Sequence, residues 1–298
     1  MNARIVTALA LLAVPAAHAG EKIEERAAAD PRGEVEVSNL AGTVTVTGWD
    51  RNEVEVTGEL AEDAERLEFV AKRTHTLIKV VFARDKHSHR NDSDSVLNVK
   101  VPERSRVDVS TVSADITVEK VLGAQSLGTV SGDVTTTVRE EEVEVRTVSG
   151  DARVRGDGAD TQVVQVNTVS GDAIVENVGG EIMAASVSGD VEIAGKTADR
   201  LTARSTSGSI VLSVELGDDA RVEAETISGD VELLLGNARN AEYVIETFSG
   251  DIDNCFGPKP QKKSQYVPGS ELRFTEGDGD ANVRVNTLSG SVELCDED

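Results

Sequence analysis

One hexapeptide, close to Thr-Val-Ser-Gly-Asp-Val, returns along most of this chain and restricts the fold before any other feature does. Its cleanest copy spans residues 129–134, and others surround Gly150, Gly171, Gly189, Gly208, Gly229, Gly250 and Gly290. Residues 111–116 form a degenerate copy with Ala114 in the glycine place, and a weaker one surrounds Gly42. From Gly132 to Gly250 the box glycines stand 18, 21, 18, 19, 21 and 21 residues apart, and 40 residues separate Gly250 from Gly290. Helical repeats run to roughly 33 residues or more, so units this short are read as strands.

Each unit carries two short runs of period-two alternation, the pattern of half-buried strands. Ahead of the box, apolar residues stand seven and five places before the glycine: Val143 and Val145, Val164 and Val166, Val222 and Ala224. After it they stand two and four places on: Val191 and Ile193, Ile210 and Leu212, Val231 and Leu233. An odd-to-even switch within one straight strand would turn the second run to the wrong face. The box must therefore bend, and glycine is expected there for its access to positive φ. Polar turns over 139–142, 156–162, 177–180 and 236–240 lie between boxes. Stacking such units in parallel buries the aliphatics in one column and pairs every strand. The predicted fold is all-β: a single-stranded β-helix or solenoid, right-handed, with 18–21 residues per coil. About nine or ten coils would make a rod of roughly 45 Å. A β-sandwich is the competing architecture, but sandwiches do not usually repeat one hexapeptide at the same point of each unit.

Composition narrows the setting. Residues 1–19 read as a secretory signal, with Arg4 in the n-region, apolar residues over 5–14, and Ala17-His18-Ala19 before a cut at Gly20. The apolar stretch falls short of the roughly 20 residues that span a bilayer, so no membrane span is expected after cleavage. Gly20 rather than cysteine follows the cut, so lipid anchoring is not indicated. The chain has 54 acidic and 30 basic residues, and loss of Arg4 takes the net charge from −24 to −25. That balance argues against nucleic-acid partners and anionic membrane surfaces, and favours basic partners or divalent cations. Aromatics are only 3% of the chain, which suits a thin aliphatic core and speaks against a sugar-binding aromatic platform.

Two regions break the repeat. Residues 20–105 are expected to form irregular coils and a cap, with 106–298 forming the regular repeats. A loop insertion over 257–281 carries Lys259, Lys262 and Lys263. It is either a solvated excursion or a partner-contact loop. Cys255 and Cys295 are the two cysteines, each five residues after a box glycine. On adjacent in-register strands their Cα atoms would lie about 4.8 Å apart, inside the window for a disulfide. Export brings an oxidising compartment. A bridge from the final coil to the one before it is predicted.

The box aspartates are Asp115, Asp133, Asp151, Asp172, Asp190, Asp230 and Asp251, with Ser209 and Ser291 as substitutes. Stacking lines their carboxylates up, which is unfavourable unless they bond to the backbone of the bend or share a cation. Two serine copies fit the backbone role better than obligatory ligation, and no cofactor is implied. Ser-Gly-Asp repeats suggest a nucleophile only if a base is positioned beside them. The histidines after the signal are His75, His87 and His89, and none accompanies a nucleophile-elbow pattern. No unique acidic pair stands out for glycoside chemistry, so no catalytic residue is assigned.

Residues 48–56, Gly-Trp-Asp-Arg-Asn-Glu-Val-Glu-Val, come early, and Leu97-Asn98-Val99-Lys100-Val101-Pro102 introduces the repeats. The reiterated box follows, and Gly277-Asp278-Gly279 leads into residues 283–290. In this order the features resemble the bacterial DUF4097 family of adhesin-like β-solenoid domains, over about residues 33–298. The resemblance implies a β-helical cell-envelope protein and transfers no catalytic residue. The expectation is an exported non-enzymatic envelope protein, periplasmic, secreted or at the cell surface. It would act as a rigid acidic scaffold that binds an envelope protein or a glycan. A carbohydrate-active β-helix enzyme and a cation-dependent structural protein are the alternatives, and oligomeric state is left open.

Overall fold

The structure, a computed structural model, describes residues 20–82, 94–157, 162–262 and 268–296. The signal-like segment 1–19, His87, His89 and Lys263 lie outside the described residues. Among the described residues there is no helix, and all 23 strands join one hydrogen-bonded sheet. Among these described residues, no helix is long and apolar enough to cross a membrane.

Each layer is a strand ahead of the box, the bend, and a strand behind it, and each pairs in parallel with the same part of the next. Val143 and Val145 face Val164 and Val166 across one interface, and Ala152 and Val154 face Ala173 and Val175 across the other. The same register carries Ile210, Leu212 and Leu235 onto their neighbours in later layers. These side chains are essentially without solvent contact, so the core is one aliphatic column running the length of the stack. The odd-to-even switch read from the repeat is what points both strands of a layer at that column.

Glycine serves the bend for a different reason than conformational freedom. Gly132, Gly150, Gly171, Gly189, Gly208, Gly229, Gly250 and Gly290 all lack positive φ. Instead, a Cβ on Gly150 would lie 1.8 Å from the carbonyl oxygen of Gly132, and one on Gly171 would lie 2.0 Å from that of Gly150. The layers are too close at this point for any side chain. Ala114 occupies the glycine place on the layer that pairs with Gly42, whose φ of +107° departs from the other boxes. Positive φ occurs in the turns between boxes instead, at Lys120, Asn177 and Asn237.

Following each glycine to the carbonyl beneath it gives the stacking order: Gly42, Ala114, Gly132, Gly150, Gly171, Gly189, Gly208, Gly229, Gly290, Gly250. This corrects the simple expectation that layers follow chain order. The C-terminal layer, Ala281–Ser289 with Val292–Asp296, is inserted between the 221–236 layer and the 241–254 layer. The N-terminal strand Glu34–Trp49 is likewise inserted, between the 75–102 strands on one side and Arg106–Glu119 on the other. The bridge Cys255–Cys295 does join neighbouring layers, with Cα atoms 4.9 Å apart. It ties the inserted C-terminal coil to the outer 241–254 layer, so the chain's last coil is an inner layer and not a fraying end.

Antiparallel strands close both ends. Ala64–Lys72 lies on His75–Phe82, and Glu53–Glu59 lies on Ser95–Pro102 with Lys22–Ala28 beyond it. There the buried Glu55 carboxylate takes Lys100 Nζ at 2.8 Å and also pairs with Arg26. At the other end the 257–281 insertion supplies Ser270–Thr275, which pairs antiparallel with Ala241–Ser249. Its Phe274 stacks on Tyr243, with Phe256 edge-on to both. The Tyr243 hydroxyl donates to the Ala238 carbonyl at 2.6 Å. Burial pushes this phenol well above its ordinary pKa, and the nearby Asp296 and Glu276 add to the push.

Candidate functional site

The box is a set of alternating inward and outward side chains, repeated layer upon layer. Its first residue, Thr or Ser, is buried, and its hydroxyl donates to a carbonyl of a bend, that of Ala114 for Thr111 and Thr129 and that of a glycine in later layers. Thr147 Oγ1 reaches Gly150 O at 2.5 Å, Thr168 reaches Gly171 O at 2.6 Å, and Ser186 reaches Gly171 O at 3.0 Å. These bonds satisfy carbonyls that the tight glycine contact buries, which is why a hydroxyl stands there rather than a valine.

The aspartate carboxylates form a second file. Asp115 Oδ1 accepts the backbone N–H of Asp133 at 3.0 Å, Asp133 that of Asp151 at 3.0 Å, Asp151 that of Asp172 at 2.9 Å, and Asp172 that of Asp190 at 2.8 Å. Asp190 accepts from Ser209 N, and Asp230 from Ser291 N, both at 2.8 Å. Each carboxylate is thus held by the layer stacked next to it rather than by its own turn. The side chains remain exposed apart from the half-buried Asp172, so the result is a fixed row of negative charge along the rod.

The second box residue forms a third file that the sequence reading overlooked. Leu40, Val112, Val130, Val148, Val169, Val187, Ile227, Leu288 and Phe248 point outward, each between 40% and 53% exposed. They account for nine of the thirteen large hydrophobic side chains that are exposed among the described residues, so the exposure is concentrated in one stripe and not scattered. Backbone bonds set the rungs in order: Ser131 N to Val112 O at 2.8 Å, then Ser149 N to Val130 O, Ser170 N to Val148 O and Ser188 N to Val169 O, each at 2.9 Å. Only Thr206 interrupts the apolar run, in the layer of Gly208. The signal was present in the repeat. Position two of the box is two places before the glycine, the opposite parity to the buried residues five and seven places before it, yet it is apolar in almost every copy.

Other clusters are less ordered. A cleft of about 780 Å³ on the outer face of the strands ahead of the box is lined by Arg200, Asp219, Arg221, Glu223, Glu242, Asp280 and Arg284 among others. Lys259 and Lys262 line a cleft of about 340 Å³ with Glu271 and Arg273. The Arg273 guanidinium is held above its ordinary pKa by the Glu271 carboxylate and then by Glu246. His75 lies 3.4 Å from Glu34. Among the described residues, the one group of three potential metal ligands within 4.8 Å of one another is Cys255, Glu293 and Cys295. Its two sulfurs are bonded to each other.

Comparison with known proteins places this architecture. The profile of the family described as Toastrack DUF4097 matches residues 33–295. Among solved structures, the chain is similar to a candidate lipid-binding protein from Parabacteroides distasonis, at 15% identity and a TM-score of 0.38, covering 92% of this chain and 98% of that one. It is also similar to a candidate adhesin from Bacteroides fragilis, at 10% identity and a TM-score of 0.36, covering 92% and 97%. A candidate adhesin from Parabacteroides merdae is similar at 8% identity and a TM-score of 0.32, covering 72% and 93%. No curated protein matches the chain.

Proposed function

Since this chain belongs to the Toastrack DUF4097 family, we propose that it is an exported, non-enzymatic protein of the cell envelope. It is a rigid acidic β-solenoid that binds an envelope protein or a glycan, with adhesion as one outcome. The observation that carries this reading is the outward row of aliphatic side chains at one place in successive layers, with a row of fixed carboxylates three residues along the same layers. A monomeric protein rarely exposes a contiguous apolar stripe unless something docks on it. The signal-like residues 1–19 support export, to the periplasm or beyond. Proximity labelling in the native envelope, with cell fractionation, tests both halves. The reading predicts an exported mature chain that begins near Gly20 and labels a small, reproducible set of neighbours. A cytosolic chain that retains residues 1–19 would refute export, and labelling no richer than that of an inert exported control would refute binding.

One observation favours a second reading, glycan cleavage. The 780 Å³ cleft holds carboxylates outside the box row: Asp219, Glu223, Glu242 and Asp280. Three of them are already engaged, Glu223 by Arg204, Glu242 by Asn282 and Asp280 by Asn240. A carboxylate tied to a cation or an amide is poorly placed to exchange a proton with substrate. Assays against envelope polysaccharides decide the matter. Product formation abolished by Glu223→Gln or Asp219→Asn would replace the scaffold reading with an enzymatic one.

A further inference from the structure

We infer that the outward ladder is a docking track for a cationic amphipathic α-helix of another polypeptide. The helix lies along the rod axis over Val112, Val130, Val148, Val169 and Val187. This deepens the scaffold reading above and rests on it.

Spacing selects the helix. Rungs repeat at the strand separation of about 4.8 Å. A helix with apolar residues at i, i+3, i+4 and i+7 offers one roughly every 5.3 Å of its length. A strand offers same-side residues only every 6.7 Å or so. Over the four intervals from Val112 to Val187 a helix drifts from the rungs by about 2 Å, within the play of side-chain rotamers, whereas a strand drifts by about 7.5 Å and loses register. The track of about 19 Å takes roughly 13 residues of helix.

Charge selects its flank. Asp115, Asp133, Asp151, Asp172 and Asp190 lie three residues beyond these same five rungs, one in each layer. The first four are held by hydrogen bonds to the next aspartate in the file, and Asp190 by one to Ser209. A fixed acidic row three residues along each layer from an apolar row favours lysine or arginine along one edge of the ligand. It opposes a second copy of the same face and an anionic bilayer. Further along, Thr206 breaks the apolar row and Ser209 and Ser291 thin the acidic one, so both features are complete only over this stretch.

Fluorescence anisotropy with a labelled Leu/Lys helical peptide of about 18 residues, held below its self-association range, reads the track directly. Saturable binding that weakens with salt is expected. Combining Val130→Thr, Val148→Thr and Val169→Thr should weaken it on the order of tenfold or more. Threonine keeps strand propensity, and unchanged circular dichroism and melting would show that only the surface has changed. The same residues reordered to alternate Leu and Lys, a Leu/Glu helix, and phosphatidylcholine–phosphatidylglycerol vesicles serve as competitors. Equal binding of the alternating or acidic peptide, preference for vesicles, no binding of the Leu/Lys helix, or an unaffected triple variant overturns the track. Cross-linking in envelope fractions separates the two levels. If the peptide fails while wild type and triple variant cross-link the same partner equally, the track falls and the scaffold stands. If neither experiment finds a partner, both fall.

Discussion

A methyl group on Gly171 would sit 2.0 Å from the Gly150 carbonyl oxygen, and the same collision recurs at every regular box. The contact is backbone on backbone, so no side chain can swing away to relieve it. Gly171→Ala is therefore expected to destabilise by about 2–4 kcal/mol, measured by urea unfolding. A change below about 0.5 kcal/mol would mean that layers do not meet there. The aspartate beside it predicts differently. Asp151 Oδ1 accepts the Asp172 N–H, a role an amide oxygen can also fill. Asp151→Asn should be nearly neutral and Asp151→Ala should cost about 1 kcal/mol. For the same reason millimolar calcium should leave the melting temperature unchanged, since a ligand bound only by the folded state must raise it. The repeat disclosed that glycine was required at the bend, but the physical cause was hidden. Positive φ and close approach both demand glycine, and one chain read alone does not separate them. Only the carbonyl of the neighbouring layer does.

Strands and bends were the most legible level, because parity along the chain states which side chains face inward. Val143, Val145, Ala152 and Val154 are all buried as their offsets from Gly150 require. The outward ladder followed from the same parity and was missed because valine invites assignment to a core. The capping strand Ser270–Thr275 carried no repeat signal, since a cap pairs antiparallel and escapes the box. Its aromatic contacts predict a pH effect. Burial favours the neutral Tyr243 phenol, so its stabilisation is complete below about pH 10, where the unfolded phenol begins to ionise. It is lost as pH climbs from there toward the raised folded value. The stability advantage of wild type over Tyr243→Phe, about 1 kcal/mol at neutral pH from the Ala238 hydrogen bond, should shrink above pH 10. An advantage that stays constant to pH 11 would contradict a buried phenol. At the same end the disulfide spans 40 residues. The chain-entropy account gives about 4 kcal/mol for such a loop, and Cys295→Ser should lower unfolding free energy by about 2–4 kcal/mol, read by chemical denaturation.

The whole molecule was legible as a stack but not in its order. Near-identical boxes make any layer an acceptable neighbour for any other, so the repeat defines a layer without saying which one lies next to it. The bridge between Cys255 and Cys295 fits either order as well, because both orders make those layers adjacent. The inserted C-terminal coil fills the space between the 221–236 and 241–254 layers, pairing with both. Removing residues 281–298 would therefore open an inner interface rather than trim an end. Cross-linking of engineered cysteines tests this order directly, in a background where Cys255 and Cys295 are serine. Glu232 pairs with Glu293, and Glu293 pairs with Asp253, so Glu232 and Asp253 are two layers apart. Two strand spacings are about 9.6 Å, beyond the roughly 7 Å that a disulfide can bridge. Glu232→Cys with Glu293→Cys should oxidise to a bridge, and Glu232→Cys with Asp253→Cys should not. A bridge in the second pair and none in the first would show that the layers follow chain order, and would contradict the account.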